Sequence, residues 1–166
     1  MKVTDPETIG SQEFASRIQD HLNHYIKAAD RKASILLTGH LAFLGLYANL
    51  VKPVLSEPTW LELVLIAATA VLTIIAGGFS LSVVYPRTPE TPQGYMLWTS
   101  ILDRDEEEYR EELKDLEPDS ILTEMVDENY ALAEVADQKY RHFRWSVHIT
   151  IAMVASALAS YLFVVV

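Results

Sequence analysis

Residues 146–166 read SVHITIAMVASALASYLFVVV, a run without a single Asp, Glu, Lys or Arg that closes on Phe163-Val164-Val165-Val166. A helix rises about 1.5 Å per residue, so roughly 20 residues of this kind cover the ~30 Å hydrocarbon core of a bilayer. Two further stretches, 33–51 and 60–84, are of similar length and carry one formal charge between them, Glu62. Together they predict an all-α integral membrane protein with three transmembrane helices, spans 33–51, 60–84 and 146–166.

Cations set the expected orientation. Lys27, Arg31 and Lys32 precede the first span, Arg87 follows the second, and Lys139, Arg141 and Arg144 precede the third. The positive-inside rule places all of these on the cytoplasmic side, with the N-terminus inside and the C-terminus outside. The connection 52–59 holds Pro53 and Pro58 and one cation, Lys52, which suits a tight outer hairpin. Trp60 and Tyr161 at the outer ends, and Tyr85 and Trp145 at the inner ends, fit interfacial anchoring. The first thirty residues are charged and lack a central apolar run, so no cleavable signal peptide is expected.

Outside the spans the pattern is helical. Phe14, Ile18, Leu22 and Ile26 recur every four residues behind Ser11, a potential cap, and run through Ala29 and Ala33 into the first span without Gly or Pro. Pro118-Asp119-Ser120 reads as a second helix start, with a stripe from Ile121 to Phe143 leading unbroken into the third span. Between them, 85–92 is a Pro-rich extended linker and Tyr95 to Leu116 reads as one helix. The expected organisation is therefore a leader and cytoplasmic amphipathic helix (1–32), a transmembrane hairpin (33–84), a cytoplasmic linker and helices (85–145) and the third span (146–166). The cytoplasmic part would be a small helical bundle of the two span extensions plus one intervening helix.

Composition narrows the chemistry. The net charge is −10, and Asp103-Arg104-Asp105-Glu106-Glu107-Glu108 with Glu111-Glu112 concentrates it in the middle of the chain. Such a segment repels phosphates, so no nucleic-acid polymer is expected as a partner; a solvated helix face or a high-salt source organism accounts for the acidity equally well. The absence of Cys removes disulfides, thiol chemistry and Cys-ligated zinc. His21 and His24 lack a third ligand of suitable spacing, and Glu128, Glu134, His142 and His148 do not form a Glu-x-x-His pattern, so no metal is assigned. With no nucleophile elbow, P-loop or dinucleotide fingerprint, no catalytic residue, no cofactor and no enzymatic activity are expected.

Polar groups within the spans stand out more. His40 and Asn49 lie at membrane depth, where polar side chains face other helices or a water-filled path. Small residues recur at four-residue spacing: Ala76 with Ser80, Gly78 with Ser82, and Ala152, Ser156 and Ser160, which permits close packing within or between subunits. His40, Asn49, Gly78 and Ser156 are thus pore or packing candidates. At the cytoplasmic mouth, Asp30, Arg31, Lys32, Arg87, Lys139, Arg141 and Arg144 share one depth, with Tyr85, Trp98, Tyr140 and Trp145 interleaved. Cations beside flat rings can cradle a small anion carrying a base, although juxtamembrane cations also simply set topology.

Three segments carry a resemblance. Ala29-Asp30-Arg31-Lys32-Ala33 entering the first span, Tyr85-Pro86-Arg87 leaving the second, and residues 131–141 (ALAEVADQKYR) before the third resemble the transmembrane effectors of the Pycsar antiphage systems. That resemblance implies a cyclic pyrimidine mononucleotide, cUMP or cCMP, made by a partner cyclase after infection. It also implies an effector, expected as a homo-oligomer, that impairs the inner membrane and stops growth. Carried to this sequence, it marks Asp30, Lys32, Arg87 and Lys139, beside which Trp98, Tyr140 and Arg144 complete the expected ligand-binding set. The segment around Met96-Leu97-Trp98 and the heavily acidic middle depart from the pattern. Two other readings stay open: a constitutive holin-like channel or transporter subunit lined by His40 and Asn49, and a non-conducting scaffold docking through the acidic helix.

Overall fold

The computed structural model describes residues 9–86, 95 and 98–165. Helix α1 runs Ser11–Val51, α2 Trp60–Val84, α3 Trp98–Leu102, α4 Glu106–Lys114 and α5 Pro118–Val165, and there is no strand among the described residues. Three of these helices, α1, α2 and α5, are long and apolar enough to cross a membrane. α1 and α5 each carry a span and its amphipathic extension as one helix, because neither contains a Pro or an internal break where the extension meets the apolar run.

Local chemistry fixes the ends. Ser11 is the first helical residue of α1 rather than its cap; the Gly10 carbonyl accepts from the Phe14 amide at 2.9 Å. Pro118 occupies the first turn of α5, where its missing N–H costs nothing, and the Glu117 carbonyl accepts from Ile121. The hairpin 52–59 contains a short 3-10 turn, Val54–Ser56, before a capping box in which Thr59 and Glu62 satisfy each other's backbone amides. Glu62 thus has a local reason to open an otherwise uncharged helix.

The single helix expected over 95–116 is two helices in the structure. Asp105 is extended and its carboxylate accepts from the Glu107 amide, which makes it the N-cap of α4 and ends any continuation from α3. Periodic apolar residues continued across this point and hid the cap.

The chain forms two compact units, residues 1–26 with 87–136 and residues 27–86 with 137–166. The boundaries differ from the expected ones: residues 27–32 and 137–145 pack with the spans. In the first unit, Asn129, only 8% exposed, donates to the Ala15 carbonyl at 2.9 Å, and Gln12 donates to the Pro118 carbonyl at 3.0 Å, so the starts of α1 and α5 lie side by side. Ala15 and Ala131 supply the close approach. The Tyr95 amide donates to Glu124 Oε2, the Tyr109 hydroxyl donates to the Tyr95 carbonyl, and the Arg104 guanidinium sits 4.7 Å above the Tyr95 ring.

In the second unit the usual burial pattern is reversed. The buried face of α2 is Thr69, Thr73, Ala76, Ser80 and Val83, while Ile74 is 66% exposed and Val71, Ile75 and Leu81 also face outward. On α5 Ser146 and Ser160 are buried and Ile151 is 64% exposed. Large aliphatic residues outside and hydroxyls inside suit a hydrocarbon solvent, where Leu gains nothing by being covered and a hydroxyl needs a protein partner.

One carboxylate in the first unit is held at a cost. Glu128 is half-buried on α5 one turn from Glu124, and burial first, then the Glu124 charge, raise its pKa above the ordinary carboxylate value. Its ionisation therefore opposes folding: the contribution is intact below the ordinary carboxylate range and is lost as pH rises through the raised value. Thermal unfolding in detergent followed by circular dichroism between about pH 4 and pH 7 should show stability falling across that window. Glu128→Gln should flatten the profile and raise stability at neutral pH.

Candidate functional site

The three apolar helices are tied together at the end where α1 and α5 enter their apolar runs, by the buried cation Lys139. Lys139 of α5 is 3% exposed, and its Nζ donates to Asp30 Oδ1 of α1 at 2.5 Å and to the Val83 carbonyl of α2 at 2.6 Å. A single ammonium thereby ties all three helices. It reaches Val83 because Ala29, Ala33 and Val83 form a tight cluster beneath Val84, Tyr140 and Phe143, where any larger side chain on α1 would hold the backbones apart. The Val83 carbonyl is available because α2 ends one residue later, leaving the last carbonyls without helical partners. Asp30 is the exposed side of this clamp, with about one third of its side chain open to solvent (34%). Lys32, exposed one turn-edge away, places its ammonium 6.0 Å from the Tyr140 ring centroid.

The expected ligand set therefore divides. Asp30, Lys32, Lys139 and Tyr140 are brought together. Arg144 is exposed further along α5, and its carbonyl is engaged with His148 Nδ1. Arg87 lies outside the described residues, as does the side chain of Trp98, which opens α3 in the other unit. Val83, whose backbone carbonyl completes the clamp, was invisible as a site residue because nothing in its side chain announces it.

Beyond the clamp a seam of polar pairs runs along α5, with partners on both of its neighbours. His142 meets Ser82 of α2 at 3.0 Å; Ser146 meets Ser80 of α2 at 2.7 Å and donates to the Ala76 carbonyl at 2.9 Å. Thr150 meets His40 Nε2 of α1 at 2.8 Å, Ser156 meets Thr69 of α2 at 2.8 Å, and Ser160 accepts from the Tyr47 hydroxyl of α1 at 3.0 Å. Residue numbers increase together in the α1–α5 pairs and oppositely in the α2–α5 pairs, so α1 and α5 run parallel and α2 antiparallel to both. From Lys139 to Ser160 the seam spans about 32 Å at the helical rise, the thickness of the hydrocarbon core.

Of the pore or packing candidates, His40 and Ser156 belong to this seam. Asn49 is exposed and its amide donates back to the Gly45 carbonyl on its own helix. Gly78 is exposed, with nothing within 4 Å of where a Cβ would stand. Tyr47, Thr69, Ser146 and Thr150 went unnoticed in the sequence. The available signal was the polar spacing 142, 146, 150 followed by 156 and 160 on one face of α5. His21 and His24 are both exposed, and among the described residues no three metal-ligating groups converge.

Comparison with known proteins gives this geometry a context. A family model described as the Pycsar effector protein domain matches residues 14–166. The Pycsar effector protein SaPycTM of Staphylococcus aureus is 30% identical over 135 residues, covering 80% of this chain and 82% of that protein. No solved structure matches the chain significantly. The family match takes in both units, the clamp and every apolar helix, and the chain belongs to the Pycsar effector family as a membrane effector of antiviral defence.

Proposed function

We propose that the protein is switched on by a cyclic pyrimidine mononucleotide, cUMP or cCMP, and then impairs the inner membrane so that the infected cell stops growing. It would act as a multi-pass inner-membrane protein with its N-terminus cytoplasmic and its C-terminus outside, with no catalytic step of its own. The carrying observation is the Lys139 clamp. The ammonium has three donors and spends two on Asp30 and the Val83 carbonyl. A cyclic phosphate approaching past exposed Lys32 competes with the Asp30 carboxylate for the same cation. Taking Asp30's place frees α1 from α5 and α2 at the inner end of the seam. Such a ligand shifts the equilibrium only by its difference in affinity for clamped and released arrangements, and the clamp supplies that difference.

Other features fit the same reading. α1 and α5 continue as unbroken helices from the first unit into the second, so each carries a displacement along its length. Gly39, Gly45 and Gly78 leave open surface on α1 and α2, which suits close approach of a second copy and supports a homo-oligomer. The constitutive-channel reading requires a standing water path, whereas the seam hydroxyls are bonded to each other.

Lys139→Met should lower stability by about 3 kcal/mol, the low end for breaking a buried pair, since Asp30 is left partly solvated. Denaturant unfolding in detergent measures it. In equilibrium dialysis, the parent protein should retain cUMP or cCMP and not a cyclic purine nucleotide, and Lys139→Met should retain none. A folded parent that binds neither pyrimidine nucleotide overturns the proposal. Inserting Gly-Gly between Ala136 and Asp137 should preserve nucleotide binding and abolish growth arrest on infection; arrest unchanged by the insertion contradicts coupling through α5.

A further inference from the structure

We infer that the buried seam is the path of a proton conductance centred on His40, so that the membrane damage proposed above, on which this inference rests, is dissipation of the proton gradient rather than an open hole. His40 lies at mid-span, is 3% exposed, and its Nδ1 is buried without a hydrogen-bond partner. The surrounding bonds accommodate the Nε2–H tautomer. The Thr150 hydroxyl has one hydrogen, which it donates to the Ser146 carbonyl at 2.7 Å, so the contact at 2.8 Å is a donation from His40 Nε2–H to Thr150 Oγ1. The neutral ring then presents a bare lone pair at Nδ1. An unsatisfied acceptor at this depth is costly, and packing alone would be served better by an apolar side chain.

The neighbouring bonds are directed in the same way. Ser146 gives its hydrogen to the Ala76 carbonyl, so Ser80 donates to Ser146; Thr69 and Ser156 are paired at 2.8 Å, and both hydroxyls reach the Leu65 carbonyl, at 2.9 and 3.5 Å. These hydroxyls occupy the positions that a file of water would take once the clamp releases. Transfer through His40 is balanced: Nδ1 accepts a proton from a hydrated neighbour on one side, giving the imidazolium, and Nε2 releases one on the other side. The ring is left neutral with its hydrogen at Nδ1 and resets by exchange or rotation, and one proton has crossed. Gly77 of α2 lies beside it: a Cβ there would stand 4.0 Å from the His40 Cβ and 3.9 Å from Leu37 Cδ1. The other titratable groups along the seam are Lys139, His142 and Tyr47; His148 is exposed and bonded to the Arg144 carbonyl.

The path suits protons and not metal cations. Residues 33–51, 63–84 and 138–166 contain no Asp or Glu, so no ring of carboxylates replaces an ion's hydration shell. In the clamped bundle the hydroxyls are paired at 2.7 to 3.0 Å, so the path is closed until the clamp releases.

The full chain reconstituted in vesicles, with a pH dye and a potassium-sensitive dye inside and calcein in a parallel set, tests this with cUMP or cCMP added. Proton flux without potassium or calcein movement is expected. His40→Gln keeps an N–H for Thr150 and cannot carry a proton, and should cut the flux at least about tenfold while nucleotide binding and thermal stability stay near the parent's. If His40→Gln fails to fold, the parent's ion selectivity still decides. Potassium or calcein moving along with protons overturns the proton path and leaves membrane impairment standing, as does undiminished proton flux in His40→Gln. No flux of any kind with either nucleotide removes both this inference and the proposed function.

Discussion

In a bilayer a hydroxyl that faces lipid has no water to bond, and everything about the three apolar helices follows from that constraint. α2 turns Thr69, Thr73 and Ser80 inward and Ile74 and Leu81 outward; α5 does the same with Ser146 and Ser160 against Ile151 and Leu158. Each buried hydroxyl then finds a partner on another helix or on its own preceding turn. The helices are held in register by these pairs and by the small residues that let backbones come close. Measured hydrogen bonds of this kind contribute roughly 0.6 kcal/mol each, so the seam specifies position through its number of pairs rather than through any single one.

The clamp differs in kind. Among the described residues the buried Lys139 ammonium has two acceptors, and separating it from Asp30 leaves a charge with little solvent. An interaction of that sort is weak evidence for stability, and on the proposed reading it is the place where a competing anion would act. The seam and the clamp together describe a bundle that is held electrostatically at the Lys139 end and by hydrogen bonds along its middle. The Pycsar effector family membership supplies the signalling setting in which such a bundle would be released.

Much of this was legible in the sequence. Three apolar runs with one charge among them, Glu62, gave the spans, and uninterrupted periodicity gave the long helices, one of which is found over Ser11–Val51. Asp30 and Lys139 were marked through resemblance and turn out to touch each other. What could not be read has physical causes. The split of 95–116 depends on one side-chain cap at Asp105, which propensity averages away. Asn129 looks like an interruption in an apolar stripe until the Ala15 carbonyl is set opposite it. Val83 acts through its backbone, and Asn49 satisfies itself locally, so polarity at membrane depth singled out His40 and Asn49 alike and gave no means to tell the buried residue from the exposed one.

The inside-out packing of the second unit is most directly tested by site-directed spin labelling in vesicles, since the chain has no cysteine of its own. Single cysteines at Ile74 and Leu81, labelled and compared for collision with oxygen and with a water-soluble nickel complex, should report lipid, and those at Thr73 and Ser80 should collide with neither. A label at Thr73 or Ser80 that reports lipid, or one at Ile74 that reports water, would contradict the account.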